Sequence, residues 1–458
     1  MQNLCIEKIC LQGRPQIKEQ KFLLFIKECC VALKKKKIAI AGVGTVGKGL
    51  LRILEAIGNG APDIQISAIA SRKKINIPKK SLFKKTCIFS DAEEFLKYDN
   101  YDILVELIGG DNGVAKKIVF NALKKKKHVV TANKALISRY WKDLNKIANN
   151  VGVSIKFEAA VAGGIPIIKI VDEFLVSNKI DRIYGILNGT SNYILTKMLT
   201  TNKKFSEILK DAQKLGYAES DPSFDIDGID TAHKLSILCS LAFQTNCDLK
   251  NIKSEGIRNI DLSDLKYADS LGYKVKMLGI SQLKGKEIKN YVYPCLVAKN
   301  NFIANVDDVY NGVVVESNFC KKSFFQGEGA GSLPTATSVM SDIISISRLN
   351  KTDSKDKEKL NFKMNTVENR FGSYYLRFTT EDKPGVISGI ADEFKKNNIS
   401  MKSMLQKEST NKNSKGATIV ITTHDCNEKN MFLALAKINK MKFIKKKTIY
   451  YRIENFIS

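Results

Sequence analysis

No apolar run in this 458-residue chain approaches the ~20 residues that cross a bilayer. The longest near the start, Phe22 to Ile26, stops at Lys27 and Glu28 and carries no small-residue cleavage site. Neither a membrane span nor a signal peptide is expected. Cysteine occurs ten times but never as Cys-x-x-Cys, and there are three histidines. Zinc-site or redox-motif spacing is therefore missing, and reduced, mostly buried thiols in a cytoplasmic protein are expected. Arginine is scarce as well. Only ten of the 74 basic residues are Arg, although the net charge is +27. Readers of nucleic acid lean on Arg forks and interleaved aromatics. Here Lys comes in runs such as Lys34–Lys37, Lys124–Lys127 and Lys445–Lys447. These read as a solvated surface and a compositional bias, so no nucleic-acid partner is expected.

What is present is a globular composition, 44% hydrophobic and 26% charged. At roughly 100–200 residues per domain the length predicts two to four domains. Residues 1–33 lack periodicity and read as an appended extension, with a short helix around Lys21–Leu33. Lys37 to Ala41 is a short apolar run of the kind a buried parallel strand needs. A helical face follows on Val46, Leu50, Ile53, Leu54 and Ile57, closed by Gly58-Asn59-Gly60. Strands at Ile64–Ala70, Ile103–Leu107 and His128–Val130, with a helix from about Gly113 to Lys126, make a strand–helix alternation. That order predicts an α/β fold with a doubly wound parallel sheet over 34–150, and a helix at Thr337–Ile346 (within 326–349) returning to it. Residues 151–325 mix helix and strand as an α+β domain for substrate and dimerisation. Residues 350–360 are almost wholly polar, and 350–365 is expected to be a linker. From 366 to 458 the order is β-α-β-β-α-β, with Val386, Ile390 and Phe394 on one helical face.

Between the first strand and its helix stands Gly42-Val43-Gly44-Thr45-Val46-Gly47. Gly42 permits a tight turn, Gly44 lets backbone approach a pyrophosphate, and Gly47 lets helix and strand pack closely. The helix N-terminus offers unbonded N–H groups to phosphate oxygens. The pattern predicts a Rossmann dinucleotide site over residues 42–47. An NAD site usually carries an acid at the end of the second strand. This chain has Ser71 and Arg72 there, followed by Lys73 and Lys74. A hydroxyl and a guanidinium suit a 2′-phosphate, so NADP is expected over NAD, with dual use left open.

The segment Ala212 to Lys234 carries Glu219, Asp221, Asp225, Asp227 and Asp230, five acids within twelve residues of a basic chain. Asp230 and Lys234 stand i and i+4 on a predicted helix and share a face. Carboxylates suit a substrate ammonium group. A lysine of lowered pKa can exchange a proton with an alcohol.

The spacing Ala212, Gly216, Asp221-Pro222, Asp225-Ile226, Gly228, Asp230 and Lys234 resembles the signature of the homoserine dehydrogenase family. The resemblance covers about residues 36–348. It includes Thr131 to Lys134, the hinge-like stretch Phe157 to Ile168, the loop Gly185 to Tyr193 and the turn Gly327 to Gly331. It implies NAD(P)H-dependent reduction of L-aspartate 4-semialdehyde to L-homoserine. Lys234 would be the proton donor and Lys134 would lie beside the nicotinamide and polarise the reacting oxygen. Asp230 would orient them, Glu219 and Asp225 would hold the substrate's amino end, and Gly329 would face the cofactor. It further implies a structural monovalent cation such as sodium, on Glu158 and the carbonyls of Val161, Gly163 and Ile165. The C-terminal module resembles an ACT domain. L-Threonine is the expected effector, a homodimer or homotetramer the expected assembly, and threonine, methionine and isoleucine biosynthesis the expected pathway. A semialdehyde dehydrogenase that acylates a cysteine is disfavoured, because no Cys has a local His to activate it. A non-catalytic nucleotide- and amino-acid-sensing Rossmann/ACT regulator is the alternative. It needs no positioned proton donor.

Overall fold

The computed structural model describes residues 35–58, 64–348, 362–365, 370–408 and 416–456. The expected N-terminal extension 1–33, with its helix, and the polar stretch 350–360 lie outside the described residues.

The apolar run at 36–41 becomes the central strand of a six-stranded parallel sheet. Its order is Cys87–Phe89, Ile64–Ala70, Lys36–Ala41, Ile103–Glu106, His128–Thr131 and Ile155–Lys156. The sixth strand carries this sheet past the boundary at 150 read from the sequence. Successive side chains of a strand point to opposite faces, and both faces are covered here. Ile38 and Ile40 pack with Leu50 and Leu54 of the helix Thr45–Ile57. Ala39 and Ala41 pack with Ile118 and Val119 of the helix Val114–Lys124. All four strand residues are fully buried, which is why the run reads as continuous rather than alternating.

The helix Ser332–Arg348 returns to this domain and buries Val339, Ile343 and Ile346 against the Thr45–Ile57 side. At about 1.5–3 kcal/mol per buried aliphatic side chain, this is structural packing and not a passing contact. The approach is close. A Cβ on Gly49 would lie 2.4 Å from the Ser332 carbonyl oxygen, and the Ser332 hydroxyl donates to the Thr45 carbonyl at 2.7 Å.

The second sheet runs Lys321–Glu328, Tyr310–Ser317, Ile180–Ile186, Tyr273–Lys284, Glu287–Ala298, Ile444–Glu454, Phe371–Glu381, Gly416–Thr423 and Met401–Glu408. Its last four strands, with the helices Val386–Lys396 and Glu428–Ile438, form the β-α-β-β-α-β module. Val386, Ile390 and Phe394 do share one buried face, packed with Met431, Leu435 and Ile438.

The linker expectation needs correcting. Residues 363–365, placed in it, form a short strand parallel to Glu287–Lys289. The module that follows is joined to the rest of the sheet. Its last strand pairs in parallel with Glu287–Ala298, Cys295 opposite Arg452 and Val297 opposite Glu454. Arg452, 1% exposed, reaches Glu255 at 2.9 and 3.0 Å. Asp264, also 1% exposed, receives Arg377 Nη2 at 2.9 Å and the Tyr375 hydroxyl at 2.9 Å. Backbone pairing and buried ion pairs cross the boundary together, and a polar linker composition carries no information about either.

Candidate active site

The glycine turn is built as its spacing requires. Gly42 takes φ +99°, a conformation costly for any side chain, and a Cβ there would lie 2.8 Å from the Leu107 carbonyl oxygen. A Cβ on Gly47 would lie 2.4 Å from the Gly42 carbonyl oxygen. Gly44 has no such neighbour within 4 Å and no side chain caps the helix that it starts. The turn therefore faces open space with uncapped amides, which fits a dinucleotide pyrophosphate. Val43, Thr45 and Val46 complete it. At the end of the second strand Arg72 is exposed. The Ser71 hydroxyl donates to its own turn at the Lys73 carbonyl, 2.8 Å, so its proton is committed locally rather than held out for a phosphate.

The parallel sheet also aims Lys134. Buried Glu106, at the end of its strand, accepts the N–H groups of Ile108 and Gly109 at 2.8 and 3.0 Å on one oxygen. Its other oxygen takes the Thr131 hydroxyl at 2.6 Å. Thr131 accepts the Asn133 N–H, and the Asn133 side chain caps the helix Lys134–Val151 through the Leu136 N–H at 3.1 Å. Lys134 thus starts a helix whose N-terminus is fixed by three successive hydrogen bonds.

Opposite it, Gly228 at φ +82° opens the helix Ile229–Ala242. Asp230 and Lys234 lie one turn apart on its buried face. The two oxygens of Asp230 are divided between the lysines, with Lys134 Nζ at 2.6 Å from Oδ1 and Lys234 Nζ at 2.8 Å from Oδ2. Lys234 Nζ also donates to the Leu187 carbonyl at 2.6 Å. The Asn188 amide donates to both Asp225 Oδ1 at 2.7 Å and Asp230 Oδ2 at 2.8 Å. Asn188 stands in the loop Gly185 to Tyr193 without any local signal of this role, and nothing in the sequence around Glu106 marks it either.

Burial pushes the Lys234 ammonium below the ordinary lysine value, and the neighbouring Lys134 charge adds to this while Asp230 opposes it. Burial pushes Asp230 up, but the two lysines overcome it and hold that carboxyl below its usual range. Asp225 is raised by burial and by the Asp230 charge. His233 is lowered by burial and by Lys134, and its Nδ1 lies 2.7 Å from the Ser138 hydroxyl. The cluster can hold one proton on a buried amine and release it to an oxygen between the two lysines.

The structure brings together Lys134, Asp225, Asp230 and Lys234. It does not bring Glu219 in: that side chain is exposed, and the bond it makes is from Gln213 to its backbone carbonyl at 3.0 Å. Gly329 sits where a Cβ would lie 2.0 Å from Asn311 Cγ. Its carbonyl oxygen would meet a Cβ on Gly163 at 2.6 Å, so the glycine turn and the hinge stretch touch.

In that hinge stretch Glu158 is 1% exposed. Its oxygens accept the Ile168 and Lys169 N–H groups at 2.8 and 2.9 Å, and burial still pushes it up to about 7. Lys169 Nζ pairs with Asp342 at 3.2 Å. A buried, under-compensated carboxylate is one donor of the kind a hard monovalent cation takes, and the Ile165 carbonyl accepts the Ile167 N–H at 2.8 Å. The Gly163 carbonyl also accepts the Ser338 hydroxyl at 2.6 Å. No cluster of three or more His, Cys, Asp or Glu with metal-binding geometry occurs among the described residues.

Comparison with known proteins agrees with this geometry. Residues 42–158 match the family model "Homoserine dehydrogenase, NAD binding domain", 166–344 match "Homoserine dehydrogenase", and 374–443 match "ACT domain". A homoserine dehydrogenase of Neisseria gonorrhoeae is 38% identical over 440 residues, covering 92% of this chain and 99% of the relative. One of Helicobacter pylori is 37% identical over 429 residues, covering 92% and 100%. The crystal structure of a homoserine dehydrogenase from Thiobacillus denitrificans superposes with a TM-score of 0.81 at 37% identity, covering 92% of this chain and 98% of that one. A hyperthermophilic archaeal homoserine dehydrogenase in complex with NADPH gives a TM-score of 0.58 at 26% identity, covering 69% and 99%. No described helix is long and apolar enough to cross a membrane. With a parallel-sheet glycine turn, two lysines on one buried aspartate and a C-terminal ACT domain, the chain belongs to the homoserine dehydrogenase family of oxidoreductases.

Proposed function

We propose that this enzyme reduces L-aspartate 4-semialdehyde to L-homoserine, reversibly, with NADPH as preferred cofactor. The observation that carries the reading is the sharing of Asp230 between Lys134 and Lys234. The nicotinamide, when bound, supplies the hydride. As the aldehyde is reduced, negative charge grows on its oxygen, and two cations, buried Lys234 and part-exposed Lys134, pre-set at that oxygen stabilise it. Lys234 gives the proton; its lowered pKa makes it a better acid than a free lysine. Lys134 polarises the oxygen. Asp230 favours the Lys234 ammonium and aims both amines.

Asp225, raised by burial, is the natural seat for the substrate ammonium, whose arrival would favour its ionised form. Glu219 adds to this seat once its exposed side chain turns inward over the loop. NADP preference rests on Arg72 with Lys73 and Lys74 beside it, and the NADPH complex of the archaeal relative supports it. Sodium on Glu158 and the carbonyls of Val161, Gly163 and Ile165 would be structural, tying the hinge stretch to the returning helix through Asp342.

The reaction sits in threonine, methionine and isoleucine biosynthesis, in the cytoplasm, where the free thiols of Cys87 and Cys320 stay reduced. The ACT domain is the seat of L-threonine feedback. Assembly is as a homodimer or homotetramer, in which the exposed rings of Phe302 and Phe319 are available to a partner. Initial rates with aspartate semialdehyde, comparing NADPH with NADH, test the activity. Absence of turnover with both would leave a nucleotide- and amino-acid-sensing protein.

A further inference from the structure

The segment Lys253–Arg258 joins two regions that the reaction scheme leaves unconnected. At one end the Arg258 guanidinium forks onto Asp227, with Nη2 2.8 Å from Oδ2 and Nε on Oδ1. Nη2 also meets the Ser223 hydroxyl at 2.7 Å. Ser223 and Asp227 bracket Asp225 on the short turn Ser223–Ile226. The backbone of the segment is pressed onto the same turn. The Ile257 N–H donates to the Ile226 carbonyl at 2.8 Å, and the Ser254 hydroxyl donates to the Asp227 carbonyl at 3.0 Å. A Cβ on Gly256 would lie 2.4 Å from the Ile226 oxygen, so only glycine permits this approach. At the other end Glu255 takes both terminal nitrogens of Arg452, which the ACT domain holds through fully buried Glu428 at 2.8 and 3.0 Å.

We propose that residues 253–258 are a brace, with Arg258 as a positioning residue for Asp225 and Glu255 as the point where the seating of the ACT domain reaches the substrate loop. This rests on the reading that Asp225 receives the substrate ammonium. The Arg258–Asp227 pair is exposed, with side chains 46% and 36% accessible, so it adds little to global stability. Its two parallel bonds nonetheless fix a direction, which a single contact does not. Asp225 lies two residues from each of the groups that Arg258 holds, so its backbone is held or released with them, and small displacements at a substrate contact are felt in binding. Because Glu255 and Arg258 lie on one short stretch, a shift of Arg452 moves both ends.

The test is steady-state kinetics on the full chain, with L-homoserine as varied substrate, NADPH fluorescence titration and thermal melts in parallel. Arg258→Ala is expected to raise the homoserine KM about fivefold, with kcat and NADPH affinity within about twofold and Tm within about 2 °C. Arg258→Lys, which keeps the charge but not the fork, is expected in between. Glu255→Gln is expected to raise the same KM, and the double variant to be no worse than Arg258→Ala alone, as for two ends of one brace. Asp225→Asn is measured beside them. An impaired Asp225→Asn with an unchanged Arg258→Ala overturns the brace and leaves the ammonium site standing. Independent, multiplicative effects of Glu255→Gln and Arg258→Ala overturn the link to the ACT domain. An unchanged homoserine KM in Asp225→Asn removes the ammonium site, and the brace falls with it.

Discussion

Lys234 meets Asp230 one helical turn away, Nζ 2.8 Å from Oδ2, on a face where Asp230 is 2% exposed and Lys234 8%. A surface pair at this spacing is worth ~0.3–0.5 kcal/mol and decides nothing. Buried and shared with Lys134, the same pair holds the amine that the proposed reaction uses as its acid. Lys234→Ala is therefore expected to lose at least ~100-fold in turnover, the range of a positioned acid–base group. NADPH affinity should change little. Near-normal turnover would remove Lys234 from the chemistry.

The pH dependence follows from the sign of the Lys234 shift. Its pKa in the fold lies below the ordinary lysine value because burial, then Lys134, disfavours the ammonium. Aldehyde reduction needs the ammonium, so its rate should fall as pH rises through that lowered pKa. Homoserine oxidation needs the neutral amine, so its rate should rise through the same pKa. Asp230→Asn removes the anion that favours the ammonium and should move both limbs to lower pH by about one unit or more. Rate profiles of wild type and variant, taken in both directions, check this. A move to higher pH would contradict the assigned roles.

How much of this was legible beforehand depended on distance along the chain. The glycine turn and the Asp230–Lys234 pair are local, and short-range spacing showed both. Asn188 was not legible, because its role exists only when its loop meets Asp225 and Asp230 from a different helix. Glu106 ends an apolar strand and reads as nothing until Thr131 and the Gly109 turn close around it. The pairing of Cys295 with Arg452 joins remote segments and leaves no periodic trace. Glu219, given an ammonium contact by the family resemblance, shows the converse: its side chain is exposed, outside the Asp225–Asp230–Lys234 cluster.

The proposed preference for NADPH rests on Arg72. With the Ser71 hydroxyl bonded to the Lys73 carbonyl, the exposed Arg72 guanidinium, beside exposed Lys73 and Lys74, is left to meet a 2′-phosphate. Arg72→Ala is expected to weaken NADPH by roughly 10- to 150-fold, the ~1.5–3 kcal/mol of a charge-assisted hydrogen bond, and NADH by much less. Equal weakening of both would make Arg72 a general electrostatic residue.

The proposed cation on Glu158 makes a stability prediction. Melting in sodium chloride should exceed that in tetramethylammonium chloride at equal ionic strength, because an ion that binds the fold alone stabilises it and tetramethylammonium is too large to enter the buried site. Glu158→Gln should abolish the difference. Equal melting temperatures for the wild type would leave Glu158 as a helix-terminus anchor for Ile168 and Lys169.

Feedback by L-threonine needs a test that leaves the interface whole. Deleting the C-terminal domain would strip Arg452 from Glu255 and Arg377 from buried Asp264, and unpairing a buried charge costs ~3–5 kcal/mol. A truncated core would lose stability and blur the result. A point change at the first strand-to-helix turn of the ACT domain is cleaner. Gly385, at φ +88° with nothing within 4 Å of a built Cβ, starts the helix Val386–Lys396, and no side chain caps it. Its amides suit an amino acid carboxylate. Gly385→Asp would set a negative charge in that seat, in a backbone conformation Asp tolerates better than most residues. The wild type is expected to be inhibited at sub-millimolar to millimolar threonine, about 4–6 kcal/mol of binding. Gly385→Asp should bind threonine at least about tenfold more weakly in calorimetry, with uninhibited kcat unchanged. If threonine neither binds nor slows the wild type, the ACT domain answers to another effector or serves only to seat Arg452. If Gly385→Asp is inhibited as strongly as the wild type, the effector sits elsewhere on the domain.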